Sequence, residues 1–354
     1  METISSSFAW VSDITVQNFW SFISKPFQAG DRFYWLYVVS TLVIALFIYR
    51  LSARFSENAP KSFLSFLFPR SVWEKKSAWL DLRFFVVNHF TGKLLYARLT
   101  GIAMAATYSW VTGGESLLDA VRGSEIPTFS EAMASVMFLI IVSGFTSFTT
   151  YYLHYLQHKV PFLWEFHKVH RSAEVMHPVS NFREHPFDNV AYTLGVGAVT
   201  GPVVGMVYRT IGYLPYMPLF LGIPLLTFLF NFGGYHLRHS HIWLRWPGKW
   251  SMIFPSPAHH HVHHSCHPDH LDKNFAFMFP LWDVIFKTYH MPEDDRDVKF
   301  GLFGVEEDEY TSIWKLYTLP FRNIYRKWSK GQRLTIGEEP READTSREPD
   351  IAKT

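Results

Sequence analysis

Four long stretches of the chain contain no Asp, Glu, Lys or Arg and are mostly apolar, namely residues 33–49, 132–153, 190–208 and 210–235. A helix needs roughly 17 to 25 mostly apolar residues to cross a bilayer, so each of these stretches is long enough to span it. Residues 99–114 form a shorter fifth stretch. The pattern predicts an all-α, polytopic membrane protein with about four or five transmembrane helices. Buried helices of a large soluble protein are the alternative.

The charges between these stretches predict the orientation of the chain, because short basic loops stay on the cytoplasmic side of a membrane. The loop at 115–131 carries four acids and one arginine, which suits the opposite side. With five crossings, both histidine-rich regions emerge on the cytoplasmic side, where we expect a histidine-rich metal-binding cap. The basic segment after the first stretch contains Arg50, Arg54, Lys61, Arg70, Lys75 and Lys76.

Histidines give the clearest chemical signal, since sixteen of the eighteen lie between His154 and His270. Spacings of three or four residues place two imidazoles on one face of a helix, and imidazole suits iron, zinc, copper and nickel. A tetrahedral zinc needs only four ligands, so this many histidines predicts two metal ions. A surface tract that binds metal adventitiously is the alternative. The blocks are His154-x3-His158, His167-x2-His170, His236-x2-His239-x-His241 and His260-x2-His263-His264.

Several sequence segments around these histidines carry a family pattern. They are HYLQH from His154, WEFHKVHRSAE from Trp164, REHP from Arg183, LRHSHIWL from Leu237, SPAHHHVHH from Ser256, LDKNF from Leu271 and WDVIFKT from Trp282. In this order and spacing, residues 151–185 and 231–302 resemble the fatty acid hydroxylase and sterol desaturase superfamily of membrane di-iron oxygenases. The resemblance implies two iron ions, with zinc as a possible substitute, held by histidines at the cytoplasmic ends of transmembrane helices.

The metal ligands that follow from the resemblance and the blocks are His154, His158, His167, His170, His239, His241, His260, His263 and His264. Further candidates are His177, His185 and His236. The chain departs from the family at Arg171, where a histidine is usual, because a guanidinium offers no lone pair to a metal. One metal would then lose a ligand, which His177 could replace if the helix continued, since it lies seven residues after His170. Asp272 and Asp283 are candidate acceptors for histidine N–H groups.

The resemblance implies an iron-dependent oxidoreductase that uses dioxygen and external electrons to hydroxylate or desaturate a lipid, such as a sterol or a fatty acyl chain. The single cysteine, Cys266, excludes a thiolate-rich cluster, and no nucleotide-binding glycine motif is present. We therefore expect a separate electron donor, which would be a reductase, a ferredoxin or a cytochrome. With a net charge of only +2, we expect no nucleic-acid partner.

Two other functions fit the same residues. A zinc hydrolase would use the metal to activate water, although only Glu165 and Glu184 stand directly beside the histidine blocks as possible bases. A non-catalytic lipid-binding relative would result if Arg171 disabled one metal position.

The distribution of charge and apolar residues predicts three regions. Residues 1–130 form a membrane-anchoring region with a basic cytoplasmic loop, and residues 131–325 form the di-metal catalytic domain. Residues 326–354 are rich in charge and poor in apolar side chains, which predicts a disordered tail.

Overall fold

A computed structural model describes residues 16–55, 60–96, 98–129, 131–246, 248–292, 298–302 and 309–334. The described part is mostly helical, as the apolar pattern predicts. The helices are α1 (Trp35–Phe55), α2 (Phe63–Leu67), α3 (Arg70–Trp73), α4 (Lys76–Tyr96), α5 (Leu99–Thr112), α6 (Leu117–Arg122), α7 (Ala132–Lys159), α8 (Pro161–Arg171), α9 (Pro186–Ile211), α10 (Leu225–Phe232), α11 (Pro257–His264), α12 (Leu281–Ile285) and α13 (Ile313–Ser329). Short 3₁₀ turns include Ser180–Phe182 and Tyr235–His239.

Three helices in the described part of the chain are long and apolar enough to cross a membrane, namely α1, α7 and α9. They coincide with three of the four long apolar stretches. Much of the surface of α1 is exposed and apolar, including Val43 and Phe47, as expected for a helix in contact with lipid. The structure therefore supports a membrane protein, with fewer candidate spanning helices than the apolar pattern predicts.

The prediction of one spanning helix at 210–235 is wrong. Helix α9 ends at Ile211, because Gly212 adopts a left-handed conformation with φ +83° that terminates the helix. Prolines follow at 215, 218 and 224, and they cannot continue a helix. The segment instead forms a two-residue antiparallel hairpin, β1 (Leu219–Phe220) with β2 (Ile223–Pro224), and then the eight-residue helix α10.

The weaker fifth stretch forms helix α5, which has 14 residues and is too short to cross a membrane unaided. It packs closely along α9, where Gly197, Gly201 and Gly205 lie on the contact face. A Cβ added at Gly201 would overlap the Thr107 hydroxyl and the Met104 carbonyl oxygen. This spacing of one glycine every four residues lets two helix backbones approach, as in many membrane helix pairs.

Helix α4 was expected within the N-terminal anchoring region, but it forms part of the structure around the histidines. Its residues Leu80 and Phe84 are buried against Val169 of α8 and Leu316 of α13. On the same helix, Asp81 lies 2.9 Å from the Arg183 guanidinium, and both side chains are buried. Helices α4, α8 and α13 therefore form a common core beside the segments that carry the histidines.

The first residues of the predicted tail, which starts at residue 326, are helical, because α13 continues to Ser329. Residues 335–354, which make up most of the predicted tail, lie outside the described residues.

Candidate metal centre

Four structural segments bring the histidine blocks together. The last two turns of α7 carry His154 and His158, which are one turn apart. The chain then reverses at Val160, and α8 starts with Pro161, a residue that suits the first position of a helix. The other ligand candidates come from α8 (His167 and His170), from the 3₁₀ turn Tyr235–His239 (His239) and from α11 (His260, His263 and His264).

Eight of the nine predicted ligands form two groups of four. We define group A as His154, His158, His167 and His263, and group B as His170, His239, His260 and His264. Within each group, one nitrogen from each ring lies within 4.8 Å of the other three. All of these residues except His154 are buried. Four converging imidazoles match the number of ligands that a metal ion commonly takes from protein histidines.

The two groups lie side by side. The rings of His167 in group A and His170 in group B have centroids 5.5 Å apart. On α11, the rings of His260 in group B and His263 in group A are stacked with centroids 5.7 Å apart. Histidines three residues apart on the same helix thus belong to different groups. Two metal ions held by the two groups would therefore lie close to each other.

In group A, the outward-facing nitrogen of every ring has a hydrogen-bond acceptor. The Nδ1 atom of His154 lies 2.8 Å from the Phe275 carbonyl oxygen, and that of His263 lies 2.8 Å from the Lys273 carbonyl oxygen. The Nδ1 atom of His167 lies 3.0 Å from Oδ2 of Asp188, and that of His158 lies 3.3 Å from Oδ1 of Asp272. Carbonyls and carboxylates only accept hydrogen bonds, so each Nδ1 carries the proton.

In a neutral imidazole with its proton on Nδ1, the Nε2 atom has a lone pair that is available to a metal. The Nε2 atoms of His158, His167 and His263 are buried and have no hydrogen-bond partner among the described residues. A buried polar atom without a partner costs free energy, and a metal ion at the centre of the group would satisfy all three atoms. Carboxylate and carbonyl partners on the opposite ring nitrogens are also typical of metal-bound histidines. Group A therefore fits a metal ion.

A single loop supplies most of these acceptors. Asp272, Lys273 and Phe275 belong to the LDKNF segment, and each receives a bond from a different histidine of group A. Asp272 and Asn274 have positive φ angles of 57° and 56°, which turn the backbone around the group. Asp283 holds the loop, because its carboxylate accepts from the backbone N–H groups of Phe275 and Ala276 at 2.8 and 2.9 Å. Asp272 thus contacts a histidine as expected, whereas Asp283 acts on the loop.

Group B has different partners. The Nδ1 atom of His239 lies 2.9 Å from the Ser180 hydroxyl, which itself donates to the His177 carbonyl oxygen, so His239 is the donor. The Nε2 atom of His260 lies 2.8 Å from Nε2 of His239 and 3.1 Å from Nε2 of His264. On its other side, His260 Nδ1 lies 3.1 Å from the Arg238 guanidinium. A guanidinium can only donate, so His260 Nδ1 accepts and the neutral His260 ring carries its proton on Nε2, facing the other two rings. A metal ion held by these three Nε2 atoms would require that proton to leave Nε2, and a cation stands at the position where two rings of group A have carboxylates.

Burial keeps the imidazoles neutral. It lowers the pKa of His170, His239 and His264 well below the usual range, and the positive charges of neighbouring histidines and Arg171 or Arg238 lower it further. The pKa of His260 and of His263 is lowered by the same causes. A neutral imidazole is the form that binds a metal, so burial favours the metal-binding charge state of these side chains at neutral pH.

The ninth predicted ligand, His241, belongs to neither group. The 3₁₀ turn ends at Ser240, which is extended, and the chain carries His241 away to the outside. Its ring lies against Phe66, with centroids 5.7 Å apart. The prediction that His241 is a ligand is therefore not supported by its position.

The three further candidates make other contacts. His177 bonds to Asp81 at 3.1 Å, so it does not replace a ligand lost at Arg171. His185 is the N-cap of α9, where its Nδ1 accepts from the Phe187 N–H at 3.1 Å. His236 Nε2 lies 2.8 Å from the Arg32 carbonyl oxygen. All three are buried structural residues outside both groups.

Arg171 supports the centre without facing it. Its guanidinium donates to the His263 carbonyl oxygen and, at 3.4 Å, to the Ser265 carbonyl oxygen. Burial lowers the pKa of Arg171 to about 9, with Asp272 opposing this shift, so the side chain remains charged at neutral pH. Both carbonyls lie at the end of α11, where a helix leaves acceptors unpaired and favours a cation. Arg171 therefore fixes the helix that carries His263 and His264, and both groups keep four histidines.

Restoring the usual histidine at this position should accordingly weaken the protein. Because an imidazole cannot bridge both carbonyl oxygens, Arg171→His is expected to lower the free energy of unfolding by about 2 kcal/mol and to lower the bound metal. Thermal unfolding in detergent and metal analysis of the same preparation would measure both effects. A gain of metal in Arg171→His would show instead that the side chain occupies a ligand position.

A cavity of about 380 Å³ opens next to both groups, lined by His154 and His167 of group A and by His170 and His260 of group B. It continues between α7 and α9, where Thr146, Val142 and Val196 line it. Its walls are polar near the histidines and mixed further along the two helices, where Ser143 and Thr146 line it together with Val142 and Val196. The shape and lining suit a lipid with its chain between the helices.

The sequence analysis did not predict the roles of several residues of the centre. Asp188 is buried and accepts from both His167 and Gln157, the latter at 2.6 Å. An acidic residue at the start of a long apolar helix was a usable signal, since such residues usually have a function. Ser180 and the carbonyl oxygens of Lys273 and Phe275 gave no such signal, because their roles depend on how distant loops fold together.

Comparison with known proteins finds a family that matches part of the chain. Residues 138–288 match the model of the fatty acid hydroxylase family. The chain is similar to alkylglycerol monooxygenase of Danio rerio, with 27% identity over 57% of this chain and 43% of that protein. It is also similar to ornithine lipid hydroxylase OlsE of Rhizobium tropici, with 25% identity over 55% of this chain and 52% of that protein. The chain thus spans about half the length of these relatives. No solved structure matches it significantly.

Proposed function

Because this chain belongs to the fatty acid hydroxylase superfamily, we propose that it is a membrane lipid hydroxylase with two iron ions, one in each histidine group. The observation that carries the proposal is the pair of adjacent four-histidine groups at one end of a lipid-sized cavity. The names of the relatives, a monooxygenase and a lipid hydroxylase, favour hydroxylation over desaturation.

The proposed reaction converts a C–H bond of the lipid to C–OH. One atom of dioxygen enters the product and the other leaves as water, which requires two electrons and two protons from outside the lipid. The iron ions supply the oxidising chemistry when bound, and the protein supplies geometry. We propose a separate protein as the electron donor, in agreement with the single cysteine of the chain.

The residues of the chain contribute by holding the centre and the substrate in fixed positions. Asp188 keeps the His167 proton on Nδ1, so that Nε2 stays directed at the centre of group A. The LDKNF loop does the same for His158, His263 and His154 through its three acceptors. The walls formed by α7 and α9 would orient a lipid chain toward the histidines and keep water away from the reacting carbon.

We also propose that the histidine groups face the cytoplasm, on the basis of the basic residues after the first apolar stretch. Residues 131–325 would form the catalytic domain. Residues 1–130 would do more than anchor it, because Asp81 of α4 bonds to both Arg183 and His177.

Isotopically labelled dioxygen tests the proposed reaction. The purified protein in nanodiscs would be loaded with iron and supplied with a ferredoxin, its reductase and NADPH. The candidate substrates would be 1-O-hexadecylglycerol and an ornithine lipid, chosen from the names of the relatives. We expect mass spectrometry to find one labelled oxygen atom in the product, only when the electron supply is complete. Label taken from water instead, without any need for reductant, would indicate a hydrolase and contradict the proposal.

A further inference from the structure

Two opposite charges line the cavity without touching each other. Arg32, from the segment before α1, and Glu184, from the segment before α9, both line its wall. Their charges interact, but no described carboxylate oxygen lies within 4.0 Å of the Arg32 guanidinium nitrogens. Both residues are partly buried, and a partly buried guanidinium and carboxylate usually form a direct pair or bind something between them.

Aromatic rings hold the Arg32 side chain in place. Its guanidinium carbon lies 5.4 Å from the centroid of the Phe182 ring and 5.5 Å from that of the Tyr235 ring. The Tyr235 hydroxyl is itself fixed, because it accepts from the Asn181 side chain at 2.7 Å. The donors of Arg32 are therefore positioned in the cavity and remain available for a ligand.

The position of this pair along the cavity is defined by α9. Glu184 lies two residues before the first residue of α9, whose first turn carries Asp188, which bonds to His167, and Tyr192 lies one turn further along the helix. On the facing helix α7, the lining runs from Gln157 and His154 to Val142, a distance of about 18 Å along the helix axis between His154 and Val142. The charged pair thus lies at the histidine end, and Val142, Val196 and Met217 line the cavity away from it.

We propose that Arg32 and Glu184 form the headgroup subsite of this cavity. The inference rests on the proposed function and adds the class of lipid. A lipid headgroup that matches this subsite has no net charge. It offers a hydrogen-bond acceptor to the Arg32 guanidinium and a hydrogen-bond donor to the Glu184 carboxylate. A diol and a zwitterionic amino-acid head share this chemistry. An anionic head is disfavoured, because Glu184 and Asp188 repel it.

Arg32 lies outside residues 138–288, the part of the chain that matches the family. The headgroup subsite therefore combines a residue of the family domain with one from the N-terminal region. The carbon atoms next to the head would then lie closest to the histidine groups, with the chain extending between α7 and α9.

Equilibrium binding tests the subsite without requiring turnover. The probes are radiolabelled 1-O-hexadecylglycerol, its 3-phosphate and N-hexadecanoylornithine, each titrated against the iron-loaded full-length protein in nanodiscs. We expect one of the two net-neutral probes, the diol or the zwitterion, to bind most tightly. The affinity for the phosphate is expected to be lower than that by about tenfold or more. Binding of only the diol or only the zwitterion would identify which source provides the head.

Substitutions of the pair should act differently on the probes. Arg32→Gln is expected to weaken binding of the net-neutral probe by about 10- to 100-fold, because a hydrogen bond to a charged group is lost. Glu184→Gln is expected to weaken it less and to reduce the discrimination against the phosphate. Arg32→Lys keeps the charge and should restore part of the affinity. Arg209→Gln and Glu115→Gln are the matched controls, because both residues are exposed and neither lines the cavity.

The outcomes separate the two proposals. If Arg32→Gln and Glu184→Gln fold normally, as judged by thermal unfolding, and leave the affinity and the neutral-to-phosphate ratio within twofold of wild type, the headgroup subsite is wrong. That result would not affect the proposed hydroxylation. The wild-type protein could instead bind the net-neutral probes selectively but incorporate no labelled oxygen. That result would support the headgroup subsite and contradict the proposed reaction.

Discussion

Replacing His264 with alanine is expected to remove the metal ion of group B and to lower hydroxylase activity by at least about 100-fold, since even loss of a partner of a metal ligand can cost this much. His264 is buried, and its Nε2 lies 3.1 Å from that of His260. His158→Ala is expected to have the same effect through group A, where His158 Nε2 is buried without a described partner. Metal content and product formation would be measured on the same samples.

His241→Ala is the matched control for this experiment. This variant removes a histidine of the third block. The His241 ring lies against Phe66, outside both groups. We expect this variant to keep wild-type metal content and activity. Equal losses in His241→Ala and His264→Ala would mean that the two groups do not define the ligands.

The second large effect concerns the packing of α5 against α9. Gly201→Ala is expected to lower the free energy of unfolding by about 3 kcal/mol, because the new methyl group would overlap backbone and side-chain atoms of α5. The backbone atoms include the Met104 carbonyl oxygen, which cannot move without displacing the helix. Thermal and denaturant unfolding in detergent would measure the loss.

Gly101→Ala is the control for the same helix pair. An added Cβ at Gly101 of α5 meets no heavy atom within 4 Å. Replacing a glycine inside a helix without a clash should be neutral or stabilising by up to about 1 kcal/mol. If both variants lost stability equally, close approach of the two helices would not be the reason that Gly201 is small.

Part of the arrangement of the histidines could be predicted from the sequence, and part of it could not. The spacings His154-x3-His158 and His167-x2-His170 arise from single helices, so ring positions followed from helical geometry. Spacing alone does not show how separate segments fold together. It therefore did not show that His167 and His170 serve different groups, or that His241 turns away from both.

Arg171 shows a second limit of sequence reasoning. Comparison with the family pattern treated the position as a lost ligand, because only the side chain was considered. The structure places its partners on the backbone at the end of α11, and backbone acceptors are not visible in a pattern of side chains.

The prediction of a spanning helix at 210–235 was wrong for a different reason. The absence of charge at 210–235 was given more weight than Gly212 and the three prolines that follow it. These residues predict a break in the helix, and the structure has a hairpin and a short helix there. The glycines at 197, 201 and 205 were also readable as a helix contact, since they recur every four residues.

Iron and zinc per chain in the purified wild-type protein test the central claim most directly. We expect about two iron ions per chain, one for each group of four histidines, after expression with iron or reconstitution under reducing conditions. His264→Ala, measured in parallel, should retain about one. Stoichiometric zinc that iron cannot replace, or no stoichiometric metal in a correctly folded protein, would contradict the di-iron hydroxylase.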